Sequence, residues 1–162
     1  MKIIGVELTN SRVSGVVFNS ASLPGAQIDQ LASPSTAITN PILQVLAPDL
    51  VIYKNTDSAA LQEAHIPVLY AKVREGFAAN DWIFNLVHQM DGATNAEQNE
   101  VIWNFALTNR QSVHDDRTWS GTYAQANARG WMRDSVHRTN RGNDIGVRLM
   151  FAQSPLAPPV VP

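Results

Sequence analysis

Cysteine is absent from all 162 residues. This excludes disulfides, thiolate zinc sites and a cysteine nucleophile, and it fits a reducing compartment. No apolar run approaches the roughly 18 residues that a membrane span needs. The start of the chain has no charged region followed by an apolar stretch and a cleavage site. A soluble, cytoplasmic protein with no membrane partner is therefore expected. There is no Gly-rich phosphate loop, no GxSxG elbow and no HExxH. His88, His114 and His137 are too scattered to suggest a zinc site, and they read as surface or hydrogen-bonded imidazoles. No internal repeat is visible.

What is present suits one globular domain with a full core: 44% apolar residues and a net charge of −2. The charge is unevenly spread. Up to Asn109 there are five Lys or Arg against ten Asp or Glu; from Arg110 onward there are seven Arg and no Lys against four Asp. An Arg-only basic segment suits bidentate recognition of phosphate or carboxylate. Ion pairing with the acidic front half accounts for the same bias. Trp131 lies near Arg129 and Arg133, where an aromatic between arginines can stack a base or a sugar. Packing in a core or rim is the other reading for it, as for Trp82, Trp103 and Trp119.

The chain opens with two strand-length runs, Lys2 to Leu8 and Val13 to Phe18, around the turn Thr9–Arg12. Glu7 interrupts the first run. It is either a solvent-facing carboxylate or a metal ligand on a central strand. Ala26 to Ala32 alternates weakly and predicts a third strand. Pro41 at a first helical position predicts a short helix PILQVLA. Asp49 to Tyr53, apolar on both faces, predicts a parallel fourth strand. A short helix from Ser58 to Ala64, with His65 at its end, then leads to a fifth strand, Ile66 to Ala71. Ile83, Phe84, Leu86, Val87 and Met90 at spacings of three and four predict a helix from Asp81 to Met90. Further helices are expected over Ala96–Leu107 and from Asp115 or Asp116 to Arg129. Asp144 to Phe151 reads as a strand, and Ala152 onward as a Pro-rich tail.

This order of hairpin, strand, helix, strand, helix, strand and helices resembles the RNase H-like fold, the family of RuvC-type junction resolvases. MKIIGVEL, LPGAQIDQLA and PDLVIYK also resemble a small bacterial family of this fold. IPVLYAKVREGFAAND resembles the resolvases' fifth strand and the loop beyond it, and His114–Asp116 (HDD) resembles their last acidic cluster. The resemblance covers about Met1 to Ala128. It implies an α/β domain with an RNase H-like mixed sheet and flanking helices over residues 1–129. An irregular Arg-rich extension would span 130–151, with the tail at 152–162. It further implies nucleic acid as partner and Mg²⁺ as cofactor, with Glu7, Asp115 and Asp116 as catalytic residues and metal ligands. Arg129, Trp131, Arg133, Arg138 and Arg141 would contact nucleic acid.

One departure bears on activity. The family expects a carboxylate at the end of the fourth strand, and this chain has Tyr53-Lys54-Asn55 there. Two-metal cleavage needs several carboxylates around ions about 4 Å apart. Lys54 would remove that charge, or take over part of the metal's electrostatic role and leave a binding module. Asp57 could substitute from a loop. A degenerate metal-dependent nuclease is therefore one expectation, and a non-catalytic protein-interaction or ligand-display module the alternative. Either admits a homodimer.

The ligand-display alternative has its own resemblance. Trp103, RTWSGTY, ARGWMRD and NDIGVRLMF look like the end of formylglycine-generating-enzyme and C-type-lectin-like domains, although Val147 replaces the Phe of that signature and its Gly-Gly-Ser-Trp turn is missing. PILQVLAPDLVI followed by a helix and IPVLYA resembles one lobe of metal- and cobalamin-binding periplasmic proteins. General αβ geometry explains that likeness without shared function.

Overall fold

Asp81–Leu86 is apolar on both faces and forms the middle strand of a small parallel sheet. The structure, a computed structural model, describes residues 26–78, 80–93 and 95–152. Strands β1 (Leu50–Tyr53), β2 (Asp81–Leu86) and β3 (Ser112–Asp115) lie in that order, and both pairings are parallel. Tyr53 is opposite Phe84, Phe84 opposite Val113, and Asn85 opposite His114. Parallel neighbours need crossovers, supplied by α3 (Ala59–Gly76) and α4 (Ala96–Thr108). Two right-handed crossovers stepping in the same direction put both helices on one face of the sheet.

That face holds the core. Tyr53, Trp82, Phe84 and Leu86 from the strands meet Ile66 of α3 and Ile102 and Ala106 of α4, all buried. Trp82 stacks on Phe84 at 5.5 Å between centroids, and Tyr70 and Phe105 tilt against Trp82 and Phe84. Aromatic pairs of this kind add about 0.5–1.5 kcal/mol each beyond area burial. Helices α1 (Ile28–Ala32) and α2 (Thr36–Leu46) pack against α3.

The opposite face of the sheet carries Ile83, Asn85 and His114, all buried. After β3 the chain forms α5 (Arg117–Ser120), α6 (Tyr123–Ala128) and α7 (Asn140–Ala152). Thr122 and Gln125 close a capping box at the start of α6. Gly142 and Gly146, one turn apart on α7, bring that helix against Trp131 and Trp119.

The chain is thus mixed α/β, with a three-stranded parallel open sheet and flanking helices. The expected strand Asp49–Tyr53 and helix Ala96–Leu107 are found at β1 and α4. Other expectations are corrected. Ala26–Ala32 is the helix α1 rather than a strand, its first amide held by Asp57. Pro41 lies inside α2, which begins earlier, at Thr36.

Ile66–Ala71 belongs to α3. Ser58 caps that helix, and Gln62, Ile66, Leu69 and Val73 share its inner face, while Pro67 is exposed. His65 is consequently in mid-helix. Asp81–Met90 is strand β2 and the loop after it. A short apolar run fits both periods, and length with aromatic and β-branched content favours the strand. The expected helix from Asp115 to Arg129 is two short helices, α5 and α6, broken at Gly121, whose φ is 70°.

The extension after residue 130 is helical from Asn140, not irregular, and Asp144–Phe151 lies in α7 rather than in a strand. Its buried positions 142, 146 and 150 recur at helical spacing. The opening hairpin with Glu7 and the Pro-rich tail from Gln153 lie outside the described residues. No helix among the described residues is long and apolar enough to cross a membrane.

Candidate functional site

The carboxyl ends of three parallel strands deliver Lys54, His88 and Asp116 to one place. Ligands of open α/β sheets bind in the crevice beyond such strand ends. Asp116, just past β3, is only 1% exposed. Its Oδ2 accepts from Arg138 Nη1 at 2.9 Å and from Lys54 Nζ at 3.3 Å. His114 Nε2 approaches Oδ1 to 3.1 Å, but off the line of a hydrogen bond. Burial alone would raise the Asp116 carboxyl. The contacts with His114, Lys54 and Arg138 outweigh it and hold the group well below the usual carboxylate range.

The cations respond to the same setting. Burial lowers the Lys54 ammonium, Asp116 opposes that shift and Arg138 adds to it. Although 38% of the Lys54 side chain is exposed, its charged end lies against the buried carboxylate. Burial likewise lowers Arg138, against the pull of Asp116. Its second terminal nitrogen, Nη2, is buried with no partner among the described residues.

His88 follows β2. Asn95 and Asn99, one turn apart at the start of α4, position the backbone there. Asn99 accepts from Val87 N–H at 2.7 Å and donates to Val87 O at 3.0 Å, and Asn95 donates to His88 O. The His88 ring donates through Nε2 to Val136 O at 2.9 Å, which leaves the buried Nδ1 without a partner. Burial first, then Arg138 and Lys54, push this imidazole down to about 4, so it is neutral.

The remaining residues expected at a site are placed as follows. Asp115 is claimed by Arg117 through two parallel bonds of 2.8 Å, which hold its carboxyl below the usual range against burial. Arg133 pairs with Asp134 at 3.4 Å. Arg129 donates to the carbonyls of Trp119 and Ser120 and lies over Trp131 at 4.8 Å. Trp131 is 5.6 Å from Trp119, and Arg138 covers Trp119 at 4.5 Å. A cation–aromatic ladder therefore runs from exposed Arg129 down to buried Asp116. Arg141 is exposed, with no carboxylate partner among the described residues. Asp57 caps α1 through the Ile28 amide at 2.6 Å.

The structure thus joins Asp116, Arg138 and Lys54 and sets Asp115 apart with Arg117. In this arrangement an ion at Asp116 Oδ2 would have to displace Lys54 or Arg138, and Glu7, the other expected ligand, lies outside the described residues. No cluster of three His, Cys, Asp or Glu able to hold a metal occurs among the described residues. Sequence reasoning missed His88, whose contact with Val136 spans 48 positions and has no local signature. Its one signal was its place at the end of an apolar run. Comparison with protein-family models, curated proteins and solved structures found no match to this chain.

Proposed function

We propose that the protein is a non-catalytic nucleic-acid-binding module. One observation carries the reading: Lys54 and Arg138 meet on a single oxygen of Asp116, at 3.3 and 2.9 Å. Two protein cations thus occupy the carboxylate that the RNase H-like resemblance would make a metal ligand. Lys54 and Arg138 against Asp116 leave one net positive charge beside the neutral His88 ring, which suits a phosphate more than metal-assisted cleavage. Exposed Arg129 and Arg141 add sequence-independent phosphate contacts. The RNase H-like resemblance of the opening stretch points to the same class of partner.

The test is fluorescence anisotropy on single-stranded, duplex and RNA–DNA hybrid oligonucleotides, in EDTA and in Mg²⁺, with a gel readout of cleavage. Binding is expected in EDTA, weakening steeply with salt, without cleavage in Mg²⁺. Arg129→Glu with Arg141→Glu should weaken it about tenfold or more. Mg²⁺-dependent cleavage abolished by Asp116→Asn would overturn the reading, as would no binding at low salt.

A second reading, a protein-interaction module, is favoured by Ile38 and Val45. They lie seven positions apart on α2 and are 59% and 76% exposed.

A further inference from the structure

A second cleft opens at the carboxyl edge of the sheet, on its helical side. Its volume is about 240 Å³, and its walls are Leu86, Ala96, Asn99, Glu100, Trp103 and Arg117. Leu86 ends β2, Arg117 follows β3, and the other four come from the first two turns of α4. The walls are held in place. Asn99 is bound on both sides to the Val87 backbone, and Arg117 is clamped by Asp115 through Nε and Nη2.

Trp103 is different from the other tryptophans. Trp82, Trp119 and Trp131 each pack against another aromatic ring, whereas Trp103 has no aromatic or cationic partner among the described residues and is 42% exposed. An aromatic side chain beside a few placed polar groups in a cleft is the usual make-up of a small-ligand site. Glu100 and Arg117 line the same cleft with opposite charges, yet they form no ion pair, and Glu100 has no cationic partner among the described residues.

We infer that this cleft is a nucleobase site selective for guanine. A half-exposed indole in the wall of the cleft suits a flat ligand. An unpaired carboxylate on one side calls for adjacent N–H donors. A guanidinium with N–H groups left over on the other side calls for acceptors. Guanine carries both on one ring system: N1–H and the N2 amino group face a carboxylate, and O6 with N7 accepts from an arginine. Adenine has no N1–H, and cytosine offers one amino donor. The cleft is smaller than the roughly 300–1,000 Å³ of whole-ligand pockets, so it takes a base and leaves sugar and phosphate outside. A peptide guanidinium would satisfy Glu100 and Trp103 but would face the like charge of Arg117.

The inference rests on the nucleic-acid reading for its biological setting but is tested separately. The intact chain, ¹⁵N-labelled, is titrated with guanosine 5′-monophosphate while its four indole N–H signals are followed, the Trp103 signal being assigned by Trp103→Phe. A saturable shift of that signal is expected, at least about tenfold tighter than with adenosine 5′-monophosphate. Glu100→Gln, an exposed change, should weaken guanosine monophosphate by a similar factor and leave adenosine monophosphate unaffected. No saturable shift at millimolar nucleotide overturns the inference. So does a tighter response to N-acetyl-arginine amide, which would make the cleft a peptide site. Oligonucleotide binding that leaves Trp103 unmoved also removes it and keeps the previous reading. Guanosine monophosphate binding by a chain that ignores oligonucleotides keeps the inference and removes the previous reading.

Discussion

Arg138 donates from Nη1 to Asp116 Oδ2 at 2.9 Å, and both side chains are almost wholly buried. The pair joins β3 to the segment before α7, across 22 positions. Removing one partner strands a buried charge, which typically costs about 3–5 kcal/mol. Lys54 remains beside Asp116, so we predict the lower end, about 3 kcal/mol, for Arg138→Met. Asp116→Asn combined with Arg138→Met should lose clearly less than the sum of the single changes. Urea unfolding of the three variants measures this, and strict additivity would show that the pair does not act as a unit.

Acid should destabilise the fold through His88. Its folded-state value is pushed from 6.5 to about 4, so between those limits the unfolded chain binds more protons than the folded one. Stability therefore rises with pH through this window and is lost as pH falls from 6.5 towards 4, by on the order of 3 kcal/mol in full. Among the groups facing the ring, Arg138 and Lys54 oppose its protonation, and Asp116 is held ionised well below the window. His88→Gln, which keeps a donor for Val136 O, should flatten the slope. Equal slopes for both chains in urea unfolding at pH 7, 5.5 and 4.5 would remove His88 from the account.

Legibility followed the distance over which each signal acts. The helical period at Val101, Ile102, Phe105 and Ala106 is local and predicts α4 directly. Asp81–Leu86 is also local, but six apolar-rich residues satisfy two periods at once, and parallel pairing with β1 and β3 decides the outcome. At Ile66–Tyr70 the apolar, β-branched run reads as a strand, yet the Ser58 cap and the Ala-rich start carry the helix through it and through Pro67. The site divides similarly. Asp116 and Lys54 stood out as departures from, or matches to, a pattern. Arg138 reads as a phosphate contact from its neighbours in sequence, but it is buried against Asp116, 22 positions away past the end of β3.

Asn99 mimics a strand neighbour for Val87, with one bond to each backbone group at 2.7 and 3.0 Å. Asn99→Ala leaves a buried N–H and a buried C=O unmet, each at about 1–3 kcal/mol. We predict a loss of about 3 kcal/mol and faster amide exchange at Val87 and His88. Asn99→Asp keeps the acceptor but sets a buried carboxylate against Val87 O, and should lose at least as much. If Asn99→Ala leaves the exchange at Val87 unchanged, Asn99 does not hold that backbone.

Gly142 and Gly146 set the closeness of α7 to the tryptophan pair. Alanine in place of helical glycine ordinarily gains about 1 kcal/mol. Here a Cβ on Gly146 would lie 2.9 Å from Trp119 Cζ2 and 3.2 Å from Arg138 Nη1. Trp119 has little room to retreat, because Arg138 covers its ring at 4.5 Å. Overpacking costs about 1–3 kcal/mol, so Gly146→Ala should come out near neutral or about 1 kcal/mol less stable. A Cβ on Gly142 would lie 2.4 Å from the backbone oxygen of Trp131, which cannot swing aside as a side chain does. Gly142→Ala should therefore cost more than Gly146→Ala, about 2–3 kcal/mol, while Asn143→Ala, an exposed position between them, should be neutral or slightly stabilising. Thermal unfolding of the three variants orders them. If Gly142→Ala matches Asn143→Ala, α7 does not pack on Trp131 as closely as the structure has it.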